Sequence, residues 1–525
     1  MEPFASWPLA PLVALAVPLT LALAGAAAPR RAELASGIAL GLSLLFCLGA
    51  SVGAEPQRTS SALGVRVDAV TCVMLLLVAS LGAVIVRFSR TYLDRDPGLA
   101  RYLRWLLLTL GAVTTLVLTN NLLVVAAAWT AASLTLHQLL TFFADRDAAL
   151  VAAHKKFLVS RLADVALAGS LWLVHASVGS FDIDRITAWA AAHPGLSPSM
   201  QVAAALLVLA VALRSAQLPF HGWITQVMEA PTPVSALLHA GVVNVGGFVL
   251  IRLAPWVSQA QPARVLLVAV GVLTAAAGAL VMTTRVSVKV ALAWSTCAQM
   301  GFMLVQCGLG LWPLALLHLV AHSLYKAHAF LSAGSAVDHW KVEALNPPPR
   351  PASPHAVAGA AALAVALAFA PRALGAAPRS PADVAASLLL GLSLAPLLAV
   401  RAPGGALGLA AVALRVAGVV ALYFGWHALA ARVAPTPYAP ASALCWWLAG
   451  AGLAALFALK SALALRPRGA LARALHPWLF AGLFLDELFT RLTFRVWPPR
   501  LPQPQPSTAR ASRAALAPAA IEVQS

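Results

Sequence analysis

Again and again along this chain about 18 or more residues follow one another with few or no charges, and a helix of that length spans the roughly 30 Å hydrocarbon core of a bilayer. Charged residues make up only 10% of the 525 positions, against about 25% in a water-soluble domain, and the mean hydropathy is +0.84. No stretch alternates with period two over many strands, which excludes a transmembrane barrel. The expected fold is therefore all-α, a polytopic transmembrane bundle of about fifteen helices, some of them broken. Of the expected spans, 201–228 carries Pro219 inside it and 233–254 begins at Pro233, and another falls at 383–400.

The first apolar segment has no basic residue before it and Arg30 and Arg31 after it, the reverse of a signal peptide, so it is read as a retained helix. Placing that pair inside puts the N-terminus outside, and alternation then collects Arg87, Arg90, Arg101, Arg146, Lys155, Lys156 and Arg285 on the cytoplasmic face, with fewer cations, among them Arg66 and Arg264, opposite. This satisfies the positive-inside rule, with the C-terminus cytoplasmic. The net charge of +18 is thus explained by topology and anionic lipid headgroups rather than nucleic acid, for which no basic-aromatic soluble segment exists. Five cysteines, all in apolar spans and without CxxC spacing, read as small core residues, and no cofactor motif or metal-binding spacing is present.

Composition divides the chain. Residues 1–64 hold N-terminal transmembrane helices, 65–340 the polar membrane-embedded positions, and 341–354 a connector whose consecutive prolines exclude helix. Residues 355–465 form apolar C-terminal helices poor in ionisable groups. In 466–497, Phe484, Leu488, Leu492 and Val496 recur every four residues beside Glu487, Arg491 and Arg495, the pattern of an amphipathic helix on the cytoplasmic surface. The tail 498–525 has the Pro, Gln and Ser bias of disorder.

An ionisable residue at membrane depth costs about 2.5 to 3.5 kcal/mol on insertion scales and is by default a functional candidate. Arg161 and Asp164 stand i,i+3 on one helical face; His318, His322 and Lys326 stand i,i+4 twice along one stripe. Imidazole titrates near neutral pH and desolvation draws a lysine toward that range, so such a stripe suits proton movement; the alternative is static hydrogen-bonded helix glue. The stretch RSAQLPFHGWITQVMEAPTPVSALLHA, from Arg214 through His221, Glu229 and His239, adds three prolines among ionisable neighbours. Each proline frees a carbonyl, and a broken helix with ionisable neighbours is how transporters build ion sites.

These segments resemble the large antiporter-like subunits shared by respiratory Complex I and Mrp-type cation/proton antiporters. The resemblance rests on "RSAQLPFHGW", "APTPVSALLHA", "SVKVALAWSTCAQMGFM" and "HLVAHSLYKAHAFLSAGS", and upstream on "YLDRDPG", "TNNLLVVAAAW" and "FLVSRLAD". It implies that Lys289, His318, His322 and Lys326 lie along a central hydrated path with His239 beside it, that Arg214 stands at the position of a channel lysine, and that Asp164 matches an acid of the family. Two departures matter: Thr130, not a glutamate, follows Trp129, and Arg214 cannot be deprotonated. A buried Arg214 still needs an anion, for which Asp164 is the first expectation and Glu229 the second.

With "HKKFLVSRLAD" and the closing "LFLDELFTRLTFRVWP", the chain looks most like the membrane subunits of the DAB inorganic carbon transporters. That resemblance implies a transport subunit, not itself an enzyme, in which a gradient of H⁺ or Na⁺ energises one-way CO₂ hydration to bicarbonate by a cytoplasmic zinc carbonic-anhydrase-like (DabA-like) partner. Zinc is expected in the partner subunit and no cofactor in this chain. A proton-pumping subunit of an NADH:quinone oxidoreductase, hydrogenase or Mrp complex is the second expectation, and a structural anchor for a soluble enzyme the third.

Overall fold

The computed structural model describes residues 9–24, 29–51, 60–62, 64–336, 354–373, 405–434 and 439–497, with scattered positions between 338 and 394. The Pro-rich connector, most of the 383–400 span and the tail beyond Trp497 lie outside the described residues. Ten described helices are long and apolar enough to cross a membrane, with shorter apolar helices at Ala10–Leu23, Pro198–Arg214 and Ala358–Ala370.

Antiparallel helices α1 (Ala10–Leu23), α2 (Pro29–Ser51), α3 (Ala69–Tyr92) and α4 (Leu99–Leu118) pack together at the N-terminal side. Then follow α5 (Leu122–Leu140), α6 (Asp147–Val178), the short α7 (Ile183–Ala192) and α8 (Pro198–Arg214). The starts are set by side-chain caps that satisfy free N–H groups: Asp68 accepts from Thr71 N, Asn121 from Leu123 N, Asp182 from Arg185 N. Gly179 closes α6 and Gly310 closes the later helix Val288–Leu309, both with left-handed φ that only glycine adopts without cost.

The two Pro-bearing spans are both interrupted. After α8 the chain loosens through Ser215, Ala216 and Pro219 into α9 (Gly222–Thr225) and a 3₁₀ turn at Val227–Glu229. The next span is α10 (Thr232–Ala240), a 3₁₀ turn at Val242–Asn244 and α11 (Val245–Arg252), followed by α12 (Ala254–Val257). Such backbone survives only where protein surrounds it, and accordingly the most apolar window of 232–252 is 89% buried, whereas that of 443–465 is 6% buried.

Helices α13 (Gln261–Val281), α14 (Val288–Leu309) and α15 (Trp312–Leu331) enclose these breaks. α13 and α14 approach at glycines: a Cβ at Gly301 would lie 2.6 Å from Gly271 O and 2.7 Å from Ala275 N, the small-residue packing that membrane helices use in place of hydrophobic burial. Beyond come α16 (Pro354–Ala373), α17 (Gly405–Val433), α18 (Ala443–Leu465) against α13, and α19 (Ala470–Phe480) and α20 (Leu485–Val496).

Several charges assigned to loops are in fact buried. Arg66 donates to Asp68 (2.8 Å), Asp184 (2.6 Å) and Asn120 (3.2 Å); Arg252, at the end of α11, pairs with Asp68 and donates to Thr71 Oγ1 at 2.7 Å. Burial alone raises the Asp68 carboxyl, but Arg252, Arg66 and the Thr71 N–H outweigh it and hold it well below the usual carboxylate range. Arg264 is fully buried, donating to the carbonyls of Gly308, Ser258, Ala439 and Pro440. Arg66, Arg252 and Arg264 all fasten helix ends, a role invisible in charge counting.

The glycine seam makes a specific prediction. Gly301→Leu, whose side chain meets the α13 backbone, should lower thermal stability in detergent by about 1–3 kcal/mol or more, whereas Gly418→Leu, with nothing within 4 Å of its Cβ, should leave the melting temperature unchanged.

Candidate functional site

Two polar clusters lie inside the bundle, one on each side of the paired helix breaks. The first joins α5, α6 and α8. Arg214 ends α8 because the chain turns there, through Ala216 at φ 53°, and its guanidinium reaches across to Asp164. Arg214 Nη2 contacts Asp164 Oδ1, Thr130 Oγ1 donates to the same oxygen at 2.8 Å, and Arg161 Nη2 holds Oδ2 at 2.8 Å. The Arg214 side chain is 5% exposed and that of Asp164 22%, and the guanidinium carbon sits 4.6 Å from the Trp129 ring centroid. The expected Arg214–Asp164 pairing is present, with Thr130 reinforcing the carboxylate that serves two cations.

Lys156 belongs to this cluster and was misplaced by the sequence reading, which put it on the cytoplasmic face. It is buried on α6, donates to the Ser133 carbonyl and, at 2.8 Å, to the Ser133 hydroxyl, and lies within electrostatic range of Arg214 and Arg161. The spacing Lys156, Ser160, Asp164 is i,i+4 twice, the same signal that singled out the histidine stripe. Since Arg214 cannot release a proton, Lys156 is the titratable amine of this half.

The second cluster joins α10, α14 and α15. His322 and Lys326 are buried, and Lys326 Nζ donates to Leu292 O at 2.8 Å. Thr296 Oγ1 donates to the same carbonyl at 3.0 Å and lies 3.0 Å from His239 Nδ1. A hydroxyl has one proton, so Thr296 must accept from His239, which places the ring proton on Nδ1 and the lone pair on Nε2. His318 Nδ1 faces Gln306 Oε1 at 2.9 Å and His221 Nδ1 faces Pro219 O at 3.3 Å; both partners only accept, so both rings take the same tautomer. Nε2 of His221, His239, His318 and His322 has no hydrogen-bond partner among the described residues.

The breaks connect the halves. Ser215 Oγ of the first interruption donates to Val243 O of the second at 3.3 Å, while Asn244 Nδ2 donates to Ala240 O within its own interruption at 2.8 Å and to Ser323 Oγ of α15 at 2.7 Å. Gln217 Oε1 and Asn244 Oδ1 are buried without a described partner. A mostly apolar cavity of about 30 Å³, lined by Met74, Leu77, Leu81 and Leu237 with Asn244 and Ser323 as its polar members, adjoins the second break.

Three expected residues stand apart. Glu229 is 44% exposed and pairs with exposed Arg146 at 3.1 Å; the 3₁₀ turn carries it to the surface, and it is not part of the deep site. Lys289 lies in the first turn of α14, half-buried, donating to Thr232 Oγ1 at 2.8 Å, at a mouth rather than at depth. His221 packs on Trp294 with ring centroids 4.7 Å apart, beyond the first break. No group of three His, Cys, Asp or Glu suited to a metal occurs among the described residues.

Comparison with known proteins gives this arrangement a class. Residues 119–346 match the family described as NADH:quinone oxidoreductase/Mrp antiporter, transmembrane, and residues 55–103 match the N-terminal segment of NADH-ubiquinone oxidoreductase chain 5. The chain belongs to the antiporter-like membrane-subunit family, as a multi-pass membrane protein. Within it, the chain is 48% identical over 332 residues to the probable inorganic carbon transporter subunit DabB of Hydrogenovibrio crunogenus, covering 62% of this chain and 64% of that protein. It is 49% identical over 278 residues to the probable inorganic carbon transporter subunit DabB2 of Halothiobacillus neapolitanus, covering 53% of this chain and 50% of that one. The alignments thus span between half and two thirds of these relatives' length. The fold is shared with a chain of the Mrp complex from Dietzia sp. DQ12-45-1b, at TM-score 0.56 and 24% identity over 97% of this chain and 58% of that one.

The shared carboxylate is testable. Asp164→Ala strands Arg214 in a buried position and should cost about 3 kcal/mol, the lower end for a broken buried pair because Asp164 is partly exposed. Asp164→Leu with Arg214→Met should recover most of that loss in thermal unfolding of the purified protein, and a strictly additive double variant would show the two groups to be uncoupled.

Proposed function

We propose that this chain is the ion-translocating membrane subunit of a two-component inorganic carbon transporter. The observation that carries the reading is the row of partly buried His318 and buried His322 and Lys326 with buried His239, each imidazole presenting an Nε2 that the described protein leaves unpartnered. Buried polar atoms of that kind are satisfied by water, and a wetted row of imidazole and amine groups passes protons by successive protonation of Nε2. Asn244, Ser323 and Ser215 then lead past the two breaks toward Lys156, while Arg214, held by Asp164, keeps a fixed positive charge beside the path. A fixed cation of this sort repels other cations and makes passage depend on the Lys156 amine being neutral when a proton arrives.

The carbon-transport part of the reading is supported by the similarity to the two inorganic carbon transporter subunits. In it, the proton gradient across a bacterial inner membrane drives one-way hydration of CO₂ to bicarbonate in a cytoplasmic zinc carbonic-anhydrase-like partner. The N-terminus lies outside and the C-terminus in the cytoplasm, where the exposed Leu488, Leu492 and Val496 of α20 offer the partner an apolar face.

Co-expression of this chain with its partner should restore growth at ambient CO₂ to a bacterium lacking carbonic anhydrase, and neither protein should do so alone. Lys326→Ala and His322→Ala should each lower plating efficiency at least 100-fold at normal membrane abundance. Undiminished rescue by both variants would leave the chain a mere anchor. Truncation from His476 onward should move the partner from the membrane to the soluble fraction on sedimentation.

A further inference from the structure

The apolar repeat Phe484, Leu488, Leu492, Val496 is not the face by which α20 meets the rest of the protein. Those four side chains are exposed, whereas Phe489 and Thr493 are buried. The contacting stripe is Asp486, Phe489, Thr493 and Trp497, set against α6 and α9. Phe489 meets Phe220 edge-on at 5.7 Å, and Trp497 stacks on His154 at 4.1 Å with the planes 9° apart. Glu487 and Arg491 pair at 3.7 Å on the outer side.

The polar member of the stripe enters the bundle. Lys155, also assigned to the surface by charge counting, has a side chain 0% exposed, and its Nζ donates to both Asp486 oxygens at 2.8 and 3.0 Å and to Gln226 Oε1 at 2.8 Å. Gln226 Nε2 closes the triangle on Asp486 Oδ2 at 2.6 Å. The approach requires Gly222, where a Cβ would lie 1.4 Å from Asp486 Oδ1. Lys155 lies about 12 Å along α6 from its first residue at 1.5 Å per residue. His221, with its free Nε2, is within electrostatic range of both Asp486 and Lys155.

We propose that Asp486 is a working carboxylate of the ion path, contributed by the C-terminal helix: with Lys155 it forms the proton-exchanging pair at the mouth next to the first helix break. The inference rests on the ion-translocation reading above. It restores to the chain a lysine–carboxylate pair that Thr130 and Arg214 no longer provide, at a different place and on a separable helix. Hydronium gives a proton to the Asp486 carboxylate and leaves water, and the neutral acid releases the Lys155 ammonium; when Asp486 passes that proton on to the next water, the carboxylate returns and the pair re-forms. Because the carboxylate rides on α20, whose opposite face is exposed, a partner that moves this helix moves the pair.

The test uses the full chain with its cytoplasmic partner in proteoliposomes, with proton flux read by a pH-sensitive dye and Na⁺ flux in a parallel arm. Docking of α20 is read separately by maleimide labelling of Thr493→Cys, above the background of the native cysteines. Asp486→Asn, which keeps the shape, should leave Thr493→Cys protected yet lower proton flux at least tenfold. Gly222→Val should expose Thr493→Cys and lower flux as well. The proposal is overturned if Asp486→Asn keeps flux within twofold, if it exposes Thr493→Cys and so acts only as a fastener, or if that cysteine reacts freely in otherwise unsubstituted protein. Loss of flux in Lys326→Ala with normal flux in Asp486→Asn would sink this inference alone. Flux carried by Na⁺ and not protons would overturn the proton assignment, and no flux of either ion in the unsubstituted complex would overturn the underlying reading together with it.

Discussion

Lipid offers nothing to a free carbonyl or N–H, so a helix interrupted at membrane depth must be walled in by others that satisfy what the interruption leaves bare. The rest of this structure follows from having two such interruptions side by side. Ser215 answers Val243, Asn244 answers Ala240 and reaches Ser323, and Thr274 Oγ1 accepts from Leu218 N at 3.2 Å. That demand explains why α10 and α11 are the most enclosed elements of the bundle and why α13 and α14 close around them on a seam of glycines.

Enclosure is also what makes the charges useful. In water the Arg214–Asp164 contact would count for little; inside the bundle the carboxylate is the counter-ion on which burial of two guanidiniums depends. Thr130, where the antiporter-like pattern expects a glutamate, donates a hydroxyl proton to Asp164 instead of supplying a second negative charge. The half-site therefore carries excess positive charge: Arg161 and Arg214 share one anion, and Lys156 leans on the neutral Ser133. On the other side of the breaks, Thr296 and Gln306 hold Nδ1 of His239 and His318, and Nε2 of both rings has no partner among the described residues.

The C-terminal helix adds a different kind of element. Its inward face mixes an acid, two aromatic rings and a threonine, a pairing that suits a specific seat on α6 and α9 better than a lipid surface, while its outward face is apolar over Leu488, Leu492 and Val496. One helix thus links a buried lysine to a surface on which something else can act.

Periodicity and composition alone decided that the chain is a helical membrane bundle, that polar residues within apolar spans gather before residue 340, and that His318, His322 and Lys326 share a stripe, because helix length against bilayer thickness and i,i+4 spacing are local properties. They also supplied Asp164 as the partner of Arg214, since few acids lie deep enough to compete. They failed wherever the answer depended on what another helix brings to a face. Lys155 and Lys156 stand in a basic run near a span end and look like surface charges; only the neighbours Ser133, Gln226 and Asp486 bury them. Glu229 looked deep because prolines flank it, yet the turn it sits in carries it outward to Arg146. The four-residue apolar repeat of α20 stays exposed, and the stripe that seats the helix, Asp486, Phe489 and Thr493, carries no apolar period to announce it, because an apolar stripe records a preference for leaving water and says nothing of which surface receives it. Depth, partner and facing are properties of the assembled bundle, and tertiary packing alone assigned them.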